Sequence, residues 1–529
     1  MKYLWATCFY LLVACWILFP GFSQTHMLGG ESGDLWNTLW GVDFVWSKLW
    51  VGEFPYETKN INLPAGGTIW IADYVGALMM GPLVSILGWS LGYQLWLIVQ
   101  ALLLGLCTHG FALDLGAQKR AYIAGLGCMC SGSFLSAIQN GASEGIGLFW
   151  VVLAVWMIWR ANQGKTSWFW AVLIAFLGGL SSWYSAVMIG VFWLTFLFPF
   201  HKRTFVSMSV WFCAMLPWAF LSSSLSQGEQ SLIRIKTPAL LQQLRRSIGP
   251  ADPLSYIVPY PFQSPDFSIF WRFGDDYVHS CYIGWIVIGC LLLRWKQIVS
   301  TNSIAVKSIT VAVVICFFLS LGPVLIHNGQ AVVFGEEWWG LSLGIPLPYF
   351  LLEYVWGFSE LSLLYRFSFG VTLGCCLFAS LGLSQKAEWI VIVIGLIILE
   401  LFLWSPVRAI PEISKIPNSP GFALLAQQPK GVVLNHPVER GTPYLFEQTL
   451  HHQLLTISIN MEDSHLGQRL WDSIENNGCS RVRYTRPIYI VHHPQIEHRP
   501  QREDRLMEKA IDECSILYRD ENLIIVELK

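Results

Sequence analysis

Glu31 and Asp34 lie three residues apart in Gly29-Gly30-Glu31-Ser32-Gly33-Asp34, directly before an apolar stripe of Leu35, Leu39, Val42, Trp46, Leu49 and Trp50. The i, i+4, i+7 spacing predicts an amphipathic helix on the outer membrane surface. A carboxylate at its N-terminal edge can take a proton from an incoming hydroxyl. Asp is also among the best N-cap residues, so Asp34 equally suits a structural role. Asp73 is a third carboxylate, placed after the turn Leu63-Pro64-Ala65-Gly66-Gly67. The complementary group is a cation that holds an anion. Arg366 begins an apolar helix at its outer end, where topology disfavours positive charge, and a guanidinium grips phosphate with two parallel hydrogen bonds. A snorkelling anchor is the bland alternative. Arg272 and His279, with Arg245 and Arg246, stand in a middle outer loop where an anionic headgroup can dock, although an ordinary solvated loop also explains them. The adjacent Asp275 and Asp276 lack further ligands and are read as surface, not as a metal site.

Membrane-spanning elements must position these groups. The chain has 529 residues, 54% hydrophobic, 15% aromatic and 13% charged, more apolar surface than a soluble domain can hide. Spans are predicted at Tyr3–Phe19, Gly92–Leu113, Ala121–Ile138, Ile146–Trp159, Trp168–Ser182, Tyr184–Phe200, Phe205–Leu221, Cys281–Leu293, Ser308–Ile326, Phe367–Leu383 and Trp389–Trp404, about 11 transmembrane helices. Lys2, Lys119 with Arg120, Arg160 with Lys165, Lys202 with Arg203, Arg294 with Lys296 and Lys307, and Lys386 fall in alternate short connections, which are therefore cytoplasmic. That parity requires Tyr74–Gly88 to be re-entrant or interfacial and the first helix to be retained, not cleaved as a signal peptide. Loops 21–73, 222–280 and 327–365 then face outward. Glu144, Glu353, Glu360 and Glu400 fall near the outer interface and rank as secondary.

The chain divides into 1–405, a transmembrane domain with large outer loops, and 406–529, an extracytoplasmic soluble domain. The second part holds 14 Lys plus Arg and 16 Asp plus Glu, leaving 19 of each sign for the rest. β-rich runs at Gly431–Asn435, Leu454–Ile459, Pro487–Val491, Ser515–Tyr518 and Leu523–Leu528 alternate with helical stretches near Phe422–Gln428, Leu466–Glu475 and Arg502–Cys514, which reads as a small α/β domain. Asp520-Glu521-Asn522 predicts a hairpin turn. Most of the 13 cysteines sit in apolar runs as small hydrophobes. Cys479 and Cys514 can pair in an oxidising compartment, two free thiols being the alternative. The near-neutral charge, 33 basic against 35 acidic residues, gives no field for nucleic acid.

Four patches give the chain a resemblance to the GT-C class of polytopic glycosyltransferases that use polyprenyl-phosphate-linked sugars, and within it to the poorly characterised bacterial members. They are Gly33-Asp34-Leu35-Trp36-Asn37-Thr38-Leu39-Trp40; Leu63-Pro64-Ala65-Gly66-Gly67 leading to Asp73; Leu321-Gly322-Pro323 with Leu347-Pro348-Tyr349 and Leu364-Tyr365-Arg366-Phe367; and Tyr444 to His452, similar to a Tyr-x-x-x-x-Thr-x-His pattern. The resemblance implies a GT-C-like α-helical bundle in a bacterial inner membrane. It also implies inverting transfer of a sugar from a polyprenyl-phosphate donor to an acceptor on the outer face, with Asp34, Glu31 or Asp73 as base and Arg366, Arg272 and His279 toward the donor phosphate. Many members carry two acidic residues adjacent or one apart in the first loop. Here they are three apart, which leaves open both the identity of the base and any divalent metal. The rival readings are a lipid or solute transporter or flippase, for which His109 is among the few polar groups deep in the bundle, and a non-catalytic envelope scaffold.

Overall fold

A computed structural model describes residues 2–30, 34–69, 73–197, 202–227, 249–259, 280–300, 303–327, 330–338, 341–355, 357–358, 361–383, 386–404, 413–437, 442–457, 464–478, 484–495 and 502–528. The chain forms two compact units. One comprises Met1–Gly33, Ala72–Phe220 and Lys236–Ser414; the other comprises Asp34–Ile71, Leu221–Ile235 and Lys415–Lys529. Helices are numbered along the whole chain.

The first unit is built of helices: α1 (Lys2–Leu18), α3 (Tyr74–Asp114), α4 (Ala121–Met129), α5 (Gly132–Asn140), α6 (Ser143–Ile146), α7 (Phe149–Asn162), α8 (Trp168–Ser181), α9 (Trp183–Thr195), α10 (Lys202–Gln227), α11 (Trp285–Ser300), α12 (Ile304–Ser320), α13 (Tyr349–Leu352), α14 (Ser368–Gly382) and α15 (Ala387–Trp404). Among the described residues six helices are long and apolar enough to cross a membrane, and three shorter apolar ones accompany them. The protein is an integral membrane protein with a polytopic helical bundle. Small residues set how closely the helices approach. A Cβ at Gly370 would lie 2.5 Å from Cys316 Sγ, one at Gly127 2.8 Å from Cys376 Sγ, and one at Gly374 would strike Val313. The α14 helix therefore sinks among α4, α11 and α12, and every residue from Ser368 to Ser380 is buried.

The segment Tyr74–Gly88, predicted not to span, is the first arm of α3. The helix breaks at Gly88, with φ 78° and ψ 170°. A Cβ on Gly92 would come within 2.6 Å of Val84 Cα, eight residues back, so the two arms pack against each other around the break. Gly88 takes a left-handed φ that an L side chain rarely adopts.

The second unit is an α/β layer structure. Its sheet has the order β2-β1-β3-β5-β4, with β1 (Val432–His436), β2 (Leu454–Leu455), β3 (Ile488–His492), β4 (Ser515–Arg519) and β5 (Ile524–Leu528). Strands β1, β2 and β3 run parallel, and β5 is antiparallel to both neighbours. Alternation decides the faces: Val432, Leu434, Ile488 and Ile490 meet Leu466, Leu470, Trp471 and Ile474 of α18 (His465–Asn477) and Leu506, Met507 and Ala510 of α19 (Arg502–Glu513). The predicted hairpin is present, with Asp520 Oδ1 accepting the N–H groups of Asn522 and Leu523, both at 2.7 Å. Helices α16 (Pro420–Gln427) and α17 (Thr442–His451) complete this part, and α17 is an element that the strand pattern did not predict.

The stripe assigned to a membrane surface forms α2 (Leu35–Trp50), and its first half lies against α17. The Trp36 ring packs tilted against Phe446 with centroids 5.0 Å apart, Trp40 Nε1 donates to Gln448 Oε1 at 3.1 Å, and Leu35 and Leu39 are fully buried. Only its end stays bare, with Trp50 77% exposed. An apolar helix face buries itself wherever apolar surface is offered, and here protein offers it.

Candidate active site

Arg366 sits in a 3₁₀ turn, Leu364–Phe367, that leads into the buried α14. Tyr184 fixes that turn: its hydroxyl accepts from Leu363 N at 2.8 Å, and its ring lies 5.2 Å from the Arg366 guanidinium. The Arg366 side chain is only 8% exposed. A buried cation needs a counter-charge, and Glu144, on the four-residue α6, supplies it through an ion pair to Arg366 Nη1. Ser133, Ser136, Ser185 and Ser368 line the same small, partly open recess with Glu144, Tyr184 and Arg366. Ser133 Oγ and Ser368 Oγ are 3.0 Å apart.

Asp73 caps α3, its Oδ1 accepting Gly76 N at 2.6 Å. A Cβ at Gly76 would fall on the Asp73 carboxylate, so any larger residue there would displace the capping side chain. The carboxylate is 3% exposed, and burial pushes it up to about 6 against the opposing pull of Gly76 N–H, Ser143 and Ser181. Neither hydroxyl closes a hydrogen bond to Oδ2, which is buried and unpartnered. A buried carboxylate oxygen in that state is a ready acceptor for a hydroxyl. Asp73 does not line the recess. The consecutive residues Ser143 and Glu144 of α6 face the two groups in turn, Ser143 toward Asp73 and Glu144 toward Arg366.

Asp34 belongs to the second unit and precedes α2. Its side chain makes no cap hydrogen bond, while its backbone oxygen accepts from Thr38 N at 2.8 Å. Glu31, Arg272 and His279 lie outside the described residues, as do Arg245, Arg246, Asp275, Asp276 and Glu360. The Tyr444 to His452 patch works structurally. Tyr444 donates to Pro437 O at 2.5 Å, and His451 Nδ1 accepts Gln453 N at 3.0 Å while burial lowers its pKa to about 4. His109 is paired with Tyr10 at 3.1 Å. Glu400 caps α11, accepting Trp285 N at 2.5 Å and Ile286 N at 3.1 Å. Sequence reasoning ranked Glu144 as secondary and passed over Tyr184 and the serines. An acidic residue between two apolar runs was the one signal available. It also missed Asp43 on α2, whose carboxyl burial raises to about 6 while the charge of His452 lowers it. Among the described residues no group of three His, Cys, Asp or Glu is placed to hold a metal.

No protein-family model and no curated protein matches the chain. Solved structures do. ArnT from Cupriavidus metallidurans, bound to undecaprenyl phosphate, matches 99% of this chain and 98% of its own at TM-score 0.50 and 10% identity. The arabinofuranosyltransferase AftD from Mycobacteria matches 99% of this chain at TM-score 0.53 and 13% identity, over 40% of its own length. The archaeal oligosaccharyltransferase AglB from Archaeoglobus fulgidus, in complex with an inhibitory peptide and a dolichol-phosphate, matches 93% of this chain and 70% of its own at TM-score 0.50 and 12% identity. The chain has a GT-C fold. At these identities the likeness concerns architecture, and function must be argued from the site. In the membrane unit the described charged groups that meet include Arg366 with Glu144 and Arg160 with Asp114, and Asp73 is linked to the first pair through the consecutive residues Ser143 and Glu144.

Proposed function

We propose that this protein is an inverting glycosyltransferase that moves a sugar from a polyprenyl-phosphate donor to an acceptor on the outer face of a bacterial inner membrane. The observation that carries the reading is Arg366: a buried guanidinium, held by Tyr184 in a serine-lined recess, in a fold shared with proteins solved with undecaprenyl phosphate or dolichol-phosphate. A lipid phosphate is already a good leaving group and needs charge stabilisation more than a proton. In the proposed step the acceptor oxygen bonds to the anomeric carbon as the bond from that carbon to the phosphate oxygen breaks. The hydroxyl proton passes to a carboxylate, and the departing phosphate rests on Arg366. Asp34 or Asp73 takes the proton: the side chain of the first is not used as a cap, and the second has a free Oδ2. The sheet-bearing tail faces outward in this reading. Support comes from Cys514, which is disulfide-bonded, as befits an oxidising compartment; Cys479, its proposed partner, lies outside the described residues.

The test uses full-length protein in lipid nanodiscs with a radiolabelled polyprenyl-phosphate sugar. Wild type should bind the donor, and Arg366→Lys, which keeps the charge but loses the planar fork, should bind it far more weakly. Equal donor affinity in the two would return Arg366 to the role of an anchor.

A further inference from the structure

The Arg366 site holds an anion already, the carboxylate of Glu144. A guanidinium buried to this degree is costly unless paired, so an empty donor site needs an internal counter-ion. The two partners are unequally held. Arg366 is fixed by the buried turn and the Tyr184 ring. Glu144 is 24% exposed on a helix of four residues, which follows the left-handed Gly141 (φ 65°) and ends at Gly147. The Glu144 carboxylate also borders the recess itself, together with Ser133, Ser136 and Ser368. A carboxylate and a phosphate present guanidinium with the same pair of oxygens, so the two compete for Arg366.

We propose that Glu144 is a displaceable counter-ion of the donor site, which yields Arg366 to the incoming lipid phosphate and returns to it afterwards, weakening retention of the phosphate product. This rests on the donor-phosphate reading of Arg366 above. The donor is a phosphodiester with one negative charge. The product is a phosphomonoester, which carries about 1.5 to 2 negative charges at neutral pH. The product thus holds the guanidinium more strongly, and without a competing carboxylate the enzyme is slow to release it. The surrounding serines can donate to phosphate oxygens while Glu144 is displaced.

Binding of polyprenyl monophosphate to the full-length protein in nanodiscs tests this, with wild type, Glu144→Gln and Arg366→Lys compared. Glu144→Gln should bind the monophosphate about tenfold more tightly than wild type, the equivalent of ~1.4 kcal/mol, and should release it more slowly. Glu144→Asp, which keeps the charge on a shorter stem, should tighten binding by a smaller factor and serves if the Gln variant does not fold. Unchanged or weaker binding in the folded Glu144 variants, with Arg366→Lys still impaired, overturns the counter-ion role and leaves the phosphate site standing. Binding that does not depend on Arg366, or no binding by wild type, overturns both.

Discussion

Asp34 and Asp73 occupy the same local position, the residue before an apolar helix, yet the structure treats them differently. Asp73 is 3% exposed, caps α3 through Oδ1 and keeps a buried Oδ2 without a partner. Asp34 is half-buried, and its side chain makes no cap bond. A residue type at a helix start thus specifies an opportunity, and the packing around it decides whether the carboxylate serves the backbone, chemistry or both. The same contrast extends to their helices. The α3 arm carrying Asp73 packs in the membrane bundle, whereas α2 after Asp34 lies against α17 in the sheet-bearing unit.

The largest effect should come from Arg366, whose partner Glu144 follows directly on the Ser143 that faces Asp73. Arg366→Ala removes the buried partner and leaves the partly exposed Glu144 without its counter-charge, which should cost roughly 1–3 kcal/mol of stability and abolish donor binding. Double-mutant thermal unfolding checks it: Arg366→Ala combined with Glu144→Gln should recover part of the loss.

Next come the two carboxylates as bases. Asn offers the same side-chain oxygen to a helix N-terminus but accepts no proton, so the Asp→Asn variant of the true base should lose about a hundredfold or more in sugar transfer. The other variant should stay near wild type. Retention of full transfer by both would leave no base among the described acidic candidates and would sink the enzyme reading in favour of the scaffold.

Stability should separate the pair by a smaller margin. Asp73→Ala loses a real cap and should cost about 1 kcal/mol, whereas Asp34→Ala loses none and should stay within about 0.5 kcal/mol. Thermal melts of the two variants decide this.

Asp43, on the helix that Asp34 introduces, sharpens the contrast through pH. Its folded pKa of about 6 lies above the unfolded value of about 3.9. The native state therefore binds more protons between those values, and stability is full below about pH 4 and falls as pH rises toward 6. Asp43→Asn should flatten that slope and raise stability at neutral pH relative to wild type. An unchanged pH profile would show that the carboxyl is solvated.

Apolar periodicity and charge partition were local properties of the chain, and they carried far. Long apolar runs need internally bonded backbone in lipid, so the helical membrane bundle was legible. The charge-rich tail with short β-rich runs declared an α/β unit down to the Asp520 hairpin. The Gly-Asp, Pro-x-Gly and Leu-Tyr-Arg-Phe patches resemble those of the GT-C class, whose fold the chain has. Local pattern could not say what a surface would meet. The stripe from Leu35 to Trp50 reads identically whether it faces lipid or protein, and only tertiary structure placed its first half on α17. Nor could spacing bring Glu144 to Arg366, which is 222 residues away, or leave Oδ2 of Asp73 buried beside Ser143 and Ser181. A pairing of charges across that length depends on how α6 and the turn before α14 are packed, and packing is a property of the assembled helices and not of any one segment.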